Sequence, residues 1–458
     1  MKELTLNQIA LWCGAPTAQE YNSVRVTGVC SDSREVRAGD LFIALPGERT
    51  DGHAYVSKAA EAGAAAALVT HKVDAPILQL CVADTLRAYG ALAANYRKLL
   101  HTRVIGITGS VGKTTTKEMM ACALQGTFRT AKSEGTHNND LGLPMSSMAL
   151  EEDVEVAVLE MGMNHFGEMA YLTSVAQPDI AVITNIGTMH IEHLGSREGI
   201  LRAKLEILQG VPRGGVGVFN GDEPLLWNVR SDGGHKKFYY GIENTACDVI
   251  AEDIEELEDG MRFRVRGMRK SFEVYIPAAG RHMVYNALAV ITTALLLEVK
   301  PEALQRQLGQ FHNTGMRQKI YEYNGVTIIE DCYNAGPESM QAALNVLENY
   351  RAKGRRIAVL GDMLELGNRS SAEHYRIGRL VAQKADMLFV YGEHSVRTVT
   401  GAITGGMNPK NTEHFDTHED LARMLKMRVS EGDVVLIKGS RGMKMERVLE
   451  LFLKDEKK

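Results

Sequence analysis

The chain has 458 residues, too many for one hydrophobic core and enough for about three domains of roughly 150 residues each. With 45% hydrophobic and 24% charged residues and a formal net charge of −5, it reads as an ordinary globular enzyme with no basic stripe for a nucleic-acid backbone. No apolar run approaches a membrane span, residues 1–16 are too polar for a secretory signal, and six scattered cysteines without a Cys-x-x-Cys pair read as reduced thiols of a cytoplasmic protein.

Residues 1–100 are expected to form a small mixed α/β domain. The apolar run 40–45 predicts a strand, the alanine-rich stretch 59–67 a helix feeding a strand at 67–69, and 84–100 a long helix. Residues 101–313 alternate strands and helices in the manner of a parallel sheet covered on both faces. Strands are expected at 104–108, 154–160, 179–185 and 215–219. More antiparallel segments follow over 238–276, with turns at 258–260 and 266–267, and a helix at 282–297 closes the unit. Residues 314–458 begin a second alternating series, with strands at 326–330, 356–360, 387–391 and 434–437. This is an open doubly wound pattern, whose ligands sit beyond the carboxyl ends of its strands. The fold class is therefore α/β, with a parallel-sheet domain between a small mixed domain and a Rossmann-like one.

Between the first strand of the middle series and its helix lies Thr108-Gly109-Ser110-Val111-Gly112-Lys113-Thr114-Thr115-Thr116. Glycines let backbone N–H groups curl around phosphate oxygens, and the helix start adds partial positive charge. Lys113 can reach the β- and γ-phosphates, and the Thr114 hydroxyl can ligate Mg²⁺. The strict nucleotide-loop pattern has a glycine five residues before Gly112, where this chain has Ile107; Gly106 stands one place early. The strand before and the helix after favour an ATP- or GTP-binding loop over a chance Gly-Lys-Thr.

Two further polar groups follow strand ends on the same edge. Glu160 is a candidate Mg²⁺ ligand, against the alternative of a solvated strand-end carboxylate. His190 is a candidate for a second metal or a phosphate, although a lone histidine near a loop is commonly neither. In the helix around 197–208, Lys204 points along the centre of the apolar stripe, while Arg202, Glu206 and Gln209 take the opposite face. A buried ammonium needs a partner or a chemical change. Two readings stay open: a lysine snorkelling at a site edge, or an amine that takes up CO₂ as a metal-binding carbamate. Asn286 sits in a helix apolar nearly all round, so its amide either reads a base edge or satisfies local backbone groups.

The last domain delivers three polar loops to one crevice, preceded by Asn313-Thr314-Gly315-Met316-Arg317. They are Asp331-Cys332-Tyr333-Asn334-Ala335-Gly336-Pro337, Gly361-Asp362-Met363-Leu364-Glu365-Leu366-Gly367 and Lys438-Gly439-Ser440-Arg441-Gly442. Together they favour a binding edge that faces the nucleotide across a cleft.

With these motifs the whole chain resembles the Mur ligase family, and the third-domain loops are similar to its dipeptide-adding branch. An Asp-Asn-Pro-Arg-type motif of the branch that adds a single third amino acid is absent. Ser31-Asp32-Ser33-Arg34, the run from Gly39 to Gly47, and Asp51-Gly52-His53 resemble the family's UDP-sugar domain. This implies substrate contacts from Ser31, Ser33, Arg34, Asp51 and His53. The resemblance further implies that the loop Thr108–Thr115 with Asn286, Arg317 and Asp331 binds ATP. Two Mg²⁺ ions are implied at Thr114, Glu160, His190 and a carbamylated Lys204. Thr136, Asn138 and Asn139 are implied beside the muramoyl peptide, and Asn334 is the candidate for the dipeptide. Gly336 replaces a commoner asparagine, which argues against a dipeptide contact at that position, and Met283 stands where asparagine is frequent, which leaves Asn286 as the adenine candidate. The implied chemistry joins D-alanyl-D-alanine to UDP-N-acetylmuramoyl-tripeptide through an acyl phosphate, in a monomer. The competing expectations are a related ligase that adds a single amino acid or glutamate to another carboxylate, and a nucleotide-controlled binding or regulatory module without ligase chemistry.

Overall fold

The computed structural model describes residues 1–47, 50–313 and 315–454. The third-domain start expected at 314, the motif residue Thr314 and the final residues 455–458 lie outside the described residues.

Strands β1 (Leu4–Thr5) and β2 (Arg25–Val26) pair antiparallel beside the Leu6–Cys13 helix. A parallel sheet follows in the order β3 (Gly28–Cys30), β4 (Asp40–Ile43), β5 (Ala66–Val69), β6 (Leu78–Cys81). The alanine-rich stretch is helical only over Val56–Glu61, earlier than expected. Gly63 at φ +95° ends that turn, and Ala66 and Ala67 are spent in β5, with Ala67 packed near Phe42 and Val56. The Thr85–Lys98 helix then leads to the central sheet, with Asp84 accepting the Arg87 N–H as its cap.

The central sheet contains β7 (Arg103–Thr108), β8 (Thr130–Lys132), β9 (Val156–Glu160), β10 (Ile180–Ile183), β11 (Val216–Asn220), β12 (Lys236–Gly241), β13 (Val249–Leu257), β14 (Gly260–Gly267) and β15 (Lys270–Ile276). Their spatial order is β15-β14-β13-β12-β11-β10-β7-β9-β8. The strands from β8 to β13 pair in parallel, and β13, β14 and β15 form an antiparallel meander. Alternation sorts the side chains. Val104, Ala157 and Leu159 join the core shared with the first domain, whereas Ile105, Ile107 and Val158 pack beneath the Arg281–Leu296 helix.

Antiparallel pairing was expected from 238, yet β12 runs parallel to both neighbours. Asp222, just past β11, explains the redirection. Its carboxylate accepts the N–H groups of Ile242, Glu243 and Asn244 and the Tyr285 hydroxyl, so the chain leaving β12 bends away instead of turning back as a hairpin.

The third sheet has the order β16-β17-β21-β18-β19-β20, from β16 (Lys319–Tyr323), β17 (Val326–Asp331), β18 (Arg356–Gly361), β19 (Met387–Tyr391), β20 (Thr412–Phe415) and β21 (Val434–Lys438). All pairs are parallel except the edge pair of β16 with β17. Neither edge strand was anticipated; both are short and half polar.

Burial alone would raise the Asp222 pKa, but the three backbone donors and Tyr285 outweigh it and hold the group below the ordinary carboxylate value. That stabilisation is present above the unfolded-chain value and lost as pH falls through the lower folded one. Asp222→Ala is expected to cost about 1.5–3 kcal/mol in denaturant unfolding at neutral pH. The gap between variant and parent is expected to close in acid.

Candidate active site

Parallel pairing sets the site. β7 lies between β9 and β10, with Ile107 opposite Glu160 and Thr108 opposite Ile183, so three strand ends open on one edge. The loop 109–112 crosses that edge. Gly109 has φ +149°, and a Cβ there would lie 1.9 Å from Thr184 Oγ1; Gly112 has φ +86°, with a Cβ 2.7 Å from Asn286 Oδ1. Both positions require glycine. Gly106 serves packing instead, since its Cβ would meet Met161 Sδ at 2.8 Å. The glycine one place early thus belongs to the sheet and not to the phosphate loop.

Asn185 moulds the loop: its carbonyl accepts the Ser110 N–H at 3.2 Å and its Oδ1 the Val111 N–H at 2.9 Å. Thr184 donates to the Val111 carbonyl at 2.6 Å, and Ser110 Oγ accepts the Gly187 N–H at 2.9 Å. The Lys113–Leu124 helix begins without a side-chain cap, leaving its first N–H groups for an anion. Thr108 is fully buried, and its hydroxyl has no hydrogen-bond partner among the described residues.

Glu160 is 1% exposed. Its Oε2 accepts the Thr114 hydroxyl at 2.6 Å, its Oε1 accepts Asn138 Nδ2 at 2.8 Å, and its N–H donates to Ser133 Oγ at 3.0 Å. Lys113 Nζ folds back onto the Gly109 carbonyl at 2.8 Å. Burial lowers the Lys113 pKa; Glu160 opposes the shift and Arg317 adds to it.

Lys117 was missed by the sequence reading. It lies one helical turn beyond Lys113, is fully buried, and donates to the carbonyls of Ser133 at 2.9 Å and Gly135 at 2.7 Å, with Glu118 at 3.1 Å. It thereby pins the loop that presents Thr136 and Asn138. The available signal was a second lysine at i+4 on the phosphate-loop helix, facing the same side.

Lys204 sits in the Arg197–Leu205 helix, 2% exposed, and no hydrogen bond or ion pair reaches its ammonium among the described residues. Burial, and then the charge of Lys113, push its pKa well below that of an ordinary lysine. His190 stands at φ +63°, with Nδ1 2.5 Å from Glu365 Oε2 of the third domain. That bond, against the effect of burial, holds Glu365 below the usual carboxylate range.

The third domain docks through several such contacts. Tyr333 donates to Thr136 Oγ1 at 2.7 Å and Thr188 to Glu338 at 3.0 Å. Arg317 stacks 3.8 Å from the Tyr333 ring centroid. Lys438, nearly fully buried, donates to Asp331 Oδ2 at 2.6 Å and to the Asn334 carbonyl at 3.0 Å.

A cavity of about 740 Å³ joins these surfaces. It brings together the loop 110–115, Thr136, Asn138, Asn139, Glu160, His190, Asn286, Arg317, Asp331 and Asn334. The only hydrogen bond from the Asn286 amide among the described residues is a long one to Met283 Sδ at 3.7 Å. Thr108, Gly109 and Lys204 are not part of its lining. Nor are the first-domain candidates. Ser31, Ser33 and Arg34 follow β3, where Arg34 pairs with Asp32 at 2.6 Å. Asp51 accepts from the His53 N–H and approaches its Nδ1 at 2.6 Å, and His53 Nε2 accepts the Thr70 N–H.

Three family profiles cover the chain: "Mur ligase family, catalytic domain" over residues 25–98, "Mur ligase middle domain" over 107–294 and "Mur ligase, glutamate ligase domain" over 316–441. A UDP-N-acetylmuramoyl-tripeptide–D-alanyl-D-alanine ligase of Bacillus subtilis is 41% identical over 436 residues, 94% of each chain. The structure of the UDP-N-acetylmuramoylalanyl-D-glutamyl-2,6-diaminopimelate–D-alanyl-D-alanyl ligase of Acinetobacter baumannii superposes with a TM-score of 0.86 at 33% identity, covering 99% of both chains. The MurF ligase of Thermotoga maritima, solved in complex with ADP, gives 0.83 at 29% identity over 93% of this chain and 97% of that one. On its motifs, its three-domain architecture and this near full-length similarity, the chain belongs to the Mur ligase family.

Proposed function

We propose that the chain uses ATP to join D-alanyl-D-alanine to UDP-N-acetylmuramoyl-tripeptide, as the names of its relatives state for them. The observation that carries this reading is a single cavity. In it a phosphate loop and the Thr114–Glu160–Asn138 cluster face Arg317 and Asp331 of a docked third domain. A carboxylate oxygen of the tripeptide attacks the γ-phosphorus, the bond to the β-phosphate bridging oxygen breaks, and ADP leaves. The dipeptide nitrogen then attacks the acyl carbon, loses its proton, and inorganic phosphate departs.

Lys113 is placed to leave the Gly109 carbonyl for the β- and γ-phosphates, and the open helix start binds the same anion through backbone N–H groups. Arg317 and Asp331 supply the nucleotide with contacts from the far wall, and Asn286 offers its weakly bonded amide to the adenine. Thr136, Asn138 and Asn139 border the peptide, Asn334 takes the dipeptide, and Ser31, Ser33, Arg34, Asp51 and His53 mark the edge for the UDP-sugar. Docking of the third domain excludes water from the acyl phosphate. The reading takes the chain to act as a monomer, and its six unpaired cysteines suit the cytoplasm. Among the described residues no helix is long and apolar enough to cross a membrane.

The residues fit magnesium and a carbamate. The Thr114 hydroxyl already donates to the Glu160 carboxylate, bringing two hard oxygens together, and His190 keeps Nε2 without a partner among the described residues. No group of three or more His, Cys, Asp or Glu side chains converges among the described residues. The unpaired, neutral-leaning Lys204 amine can add to CO₂ with release of one proton. Two Mg²⁺ held by Thr114, Glu160, His190 and that carbamate would supply charge neutralisation as one anion approaches another.

With UDP-muramoyl-tripeptide and ATP, ADP release is expected to become sustained only when D-alanyl-D-alanine is added; release indifferent to the amine rules out the ligase reading. Lys113→Ala is expected to lower turnover by about a hundredfold or more. Lys204→Ala is expected to lose nearly all activity, recoverable with a short carboxylic acid but not with bicarbonate. Carbon-13 bicarbonate is expected to give a carbamate resonance in the parent, and full activity in Lys204→Arg would exclude the modification. Lys117→Met, which frees the 133–136 loop, is expected to lower kcat/KM for the tripeptide by about ten- to a hundredfold. Initial-rate kinetics with each substrate varied in turn would measure it.

A further inference from the structure

We propose that Arg87 is a specificity residue whose guanidinium grips a non-reacting carboxylate of the acceptor's peptide stem. The inference rests on the ligase reading above and names a chemical feature of that acceptor.

Arg87 is the one residue before position 100 among the described residues that line the central cavity. It stands in the first turn of the Thr85–Lys98 helix, so the first domain reaches the site through this side chain. Its guanidinium makes no ion pair or side-chain hydrogen bond among the described residues; its Cζ lies over the Tyr171 ring, 4.4 Å from the centroid. The nearest acidic candidates are committed or turned elsewhere. Asp84 is spent capping the helix through the Arg87 backbone N–H, and Asp140 lines the cavity without an ion pair among the described residues.

The platform beneath Arg87 is built. The Tyr171 hydroxyl sits so close over Gly90 that a Cβ there would come within 2.0 Å of it, and that oxygen is buried without a hydrogen-bond partner among the described residues. Tyr171 is thus packed against the helix, and the exposed guanidinium over its ring keeps its N–H groups unused among the described residues. A planar fork placed in this way suits bidentate binding of a carboxylate and loses little side-chain entropy on binding.

The acceptor must run from the first-domain edge to the phosphate loop, where its terminal carboxylate reacts. A stem of the alanyl-D-glutamyl-diaminopimelate kind, named for the Acinetobacter ligase, carries two carboxylates that do not react. One remains on the glutamyl residue after its peptide link, and one is the second carboxylate of diaminopimelate. Either has the chemistry Arg87 selects.

The experiment measures kcat/KM of the full-length parent, Arg87→Met and Arg87→Lys with four tripeptide acceptors. These are the parent stem, the stem with its glutamyl carboxylate amidated, the stem with lysine in place of diaminopimelate, and the stem with both changes. Arg87→Met is expected to lower kcat/KM for the parent stem about ten- to a hundredfold, mainly through KM. Arg87→Lys is expected to recover part of that loss. KM for ATP is expected to stay unchanged, which reports an intact fold. The Arg87→Met penalty is expected to vanish on whichever single-change acceptor lacks the recognised carboxylate, and that arm identifies the source. An equal penalty on all four acceptors, or no penalty on the parent stem, overturns the proposal. A parent enzyme that turns over none of the four overturns the ligase reading instead.

Discussion

The arrangement rests on one buried carboxylate at a strand end. Glu160 terminates β9 beside β7, in a position where an isolated charge would be costly. Its oxygens are satisfied by Thr114 from the phosphate-loop helix and by Asn138 from the following loop. Those two bonds fix the loop, the helix start and the peptide-bordering segment relative to one another. Removing one partner would leave a buried anion half satisfied, which costs more than the bond itself contributes. The parallel sheet makes this economical in residues, because strands of one direction deliver their ends to one edge without long excursions.

The same edge couples the domains. Thr136 belongs to the loop that Lys117 pins, and it accepts from Tyr333, the aromatic platform under Arg317. A continuous path of packed and bonded groups therefore runs from the phosphate-loop helix through the 133–136 loop to the third-domain arginine. His190 and Glu365 form a second tie across the cleft, each at positive φ. Residues in that backbone region persist where their surroundings over-determine them, and here each is the other's partner. A group proposed for metal binding and a third-domain carboxylate thus meet at one imidazole, through the nitrogen that leaves Nε2 available.

The sequence made the central domain legible because its strands are apolar runs buried on both faces and its loop has few possible purposes. The third-domain parallel strands were equally readable, and Lys204 stood out as a charge on a hydrophobic stripe. Features fixed by long-range pairing were not readable. The parallel course of β12 depends on Asp222 collecting N–H groups about twenty residues downstream. The edge strands β16 and β20 are short and half polar, so their patterns resemble loops. Lys117 was hidden for a related reason: a lysine on a helix reads as solvated until the carbonyls of a distant loop are seen around its ammonium. Arg87 had no signal of its own, since only the packing of Tyr171 over Gly90 separates it from any surface arginine.

Charge balance explains why these lysines tolerate burial. The charge of Lys113 adds to the effect of burial at Lys204, that of Arg317 adds to it at Lys113, and Glu160 is the carboxylate that opposes it at Lys113. Lys117 has its own carboxylate in Glu118 and two carbonyls, so its positive charge is largely spent on structure. Lys113 has only loop carbonyls within reach, and Lys204 has no partner at all among the described residues. These three lysines of the central domain therefore divide by neighbourhood into one that holds the loop, one free to turn to a polyphosphate, and one driven toward the neutral amine. The last is the form with a lone pair to bond carbon dioxide, and conversion to an anion would replace a repulsion of Lys113 with an attraction. Burial and spacing along two helices assign these tasks, because the same ammonium group in water would have no preference among them.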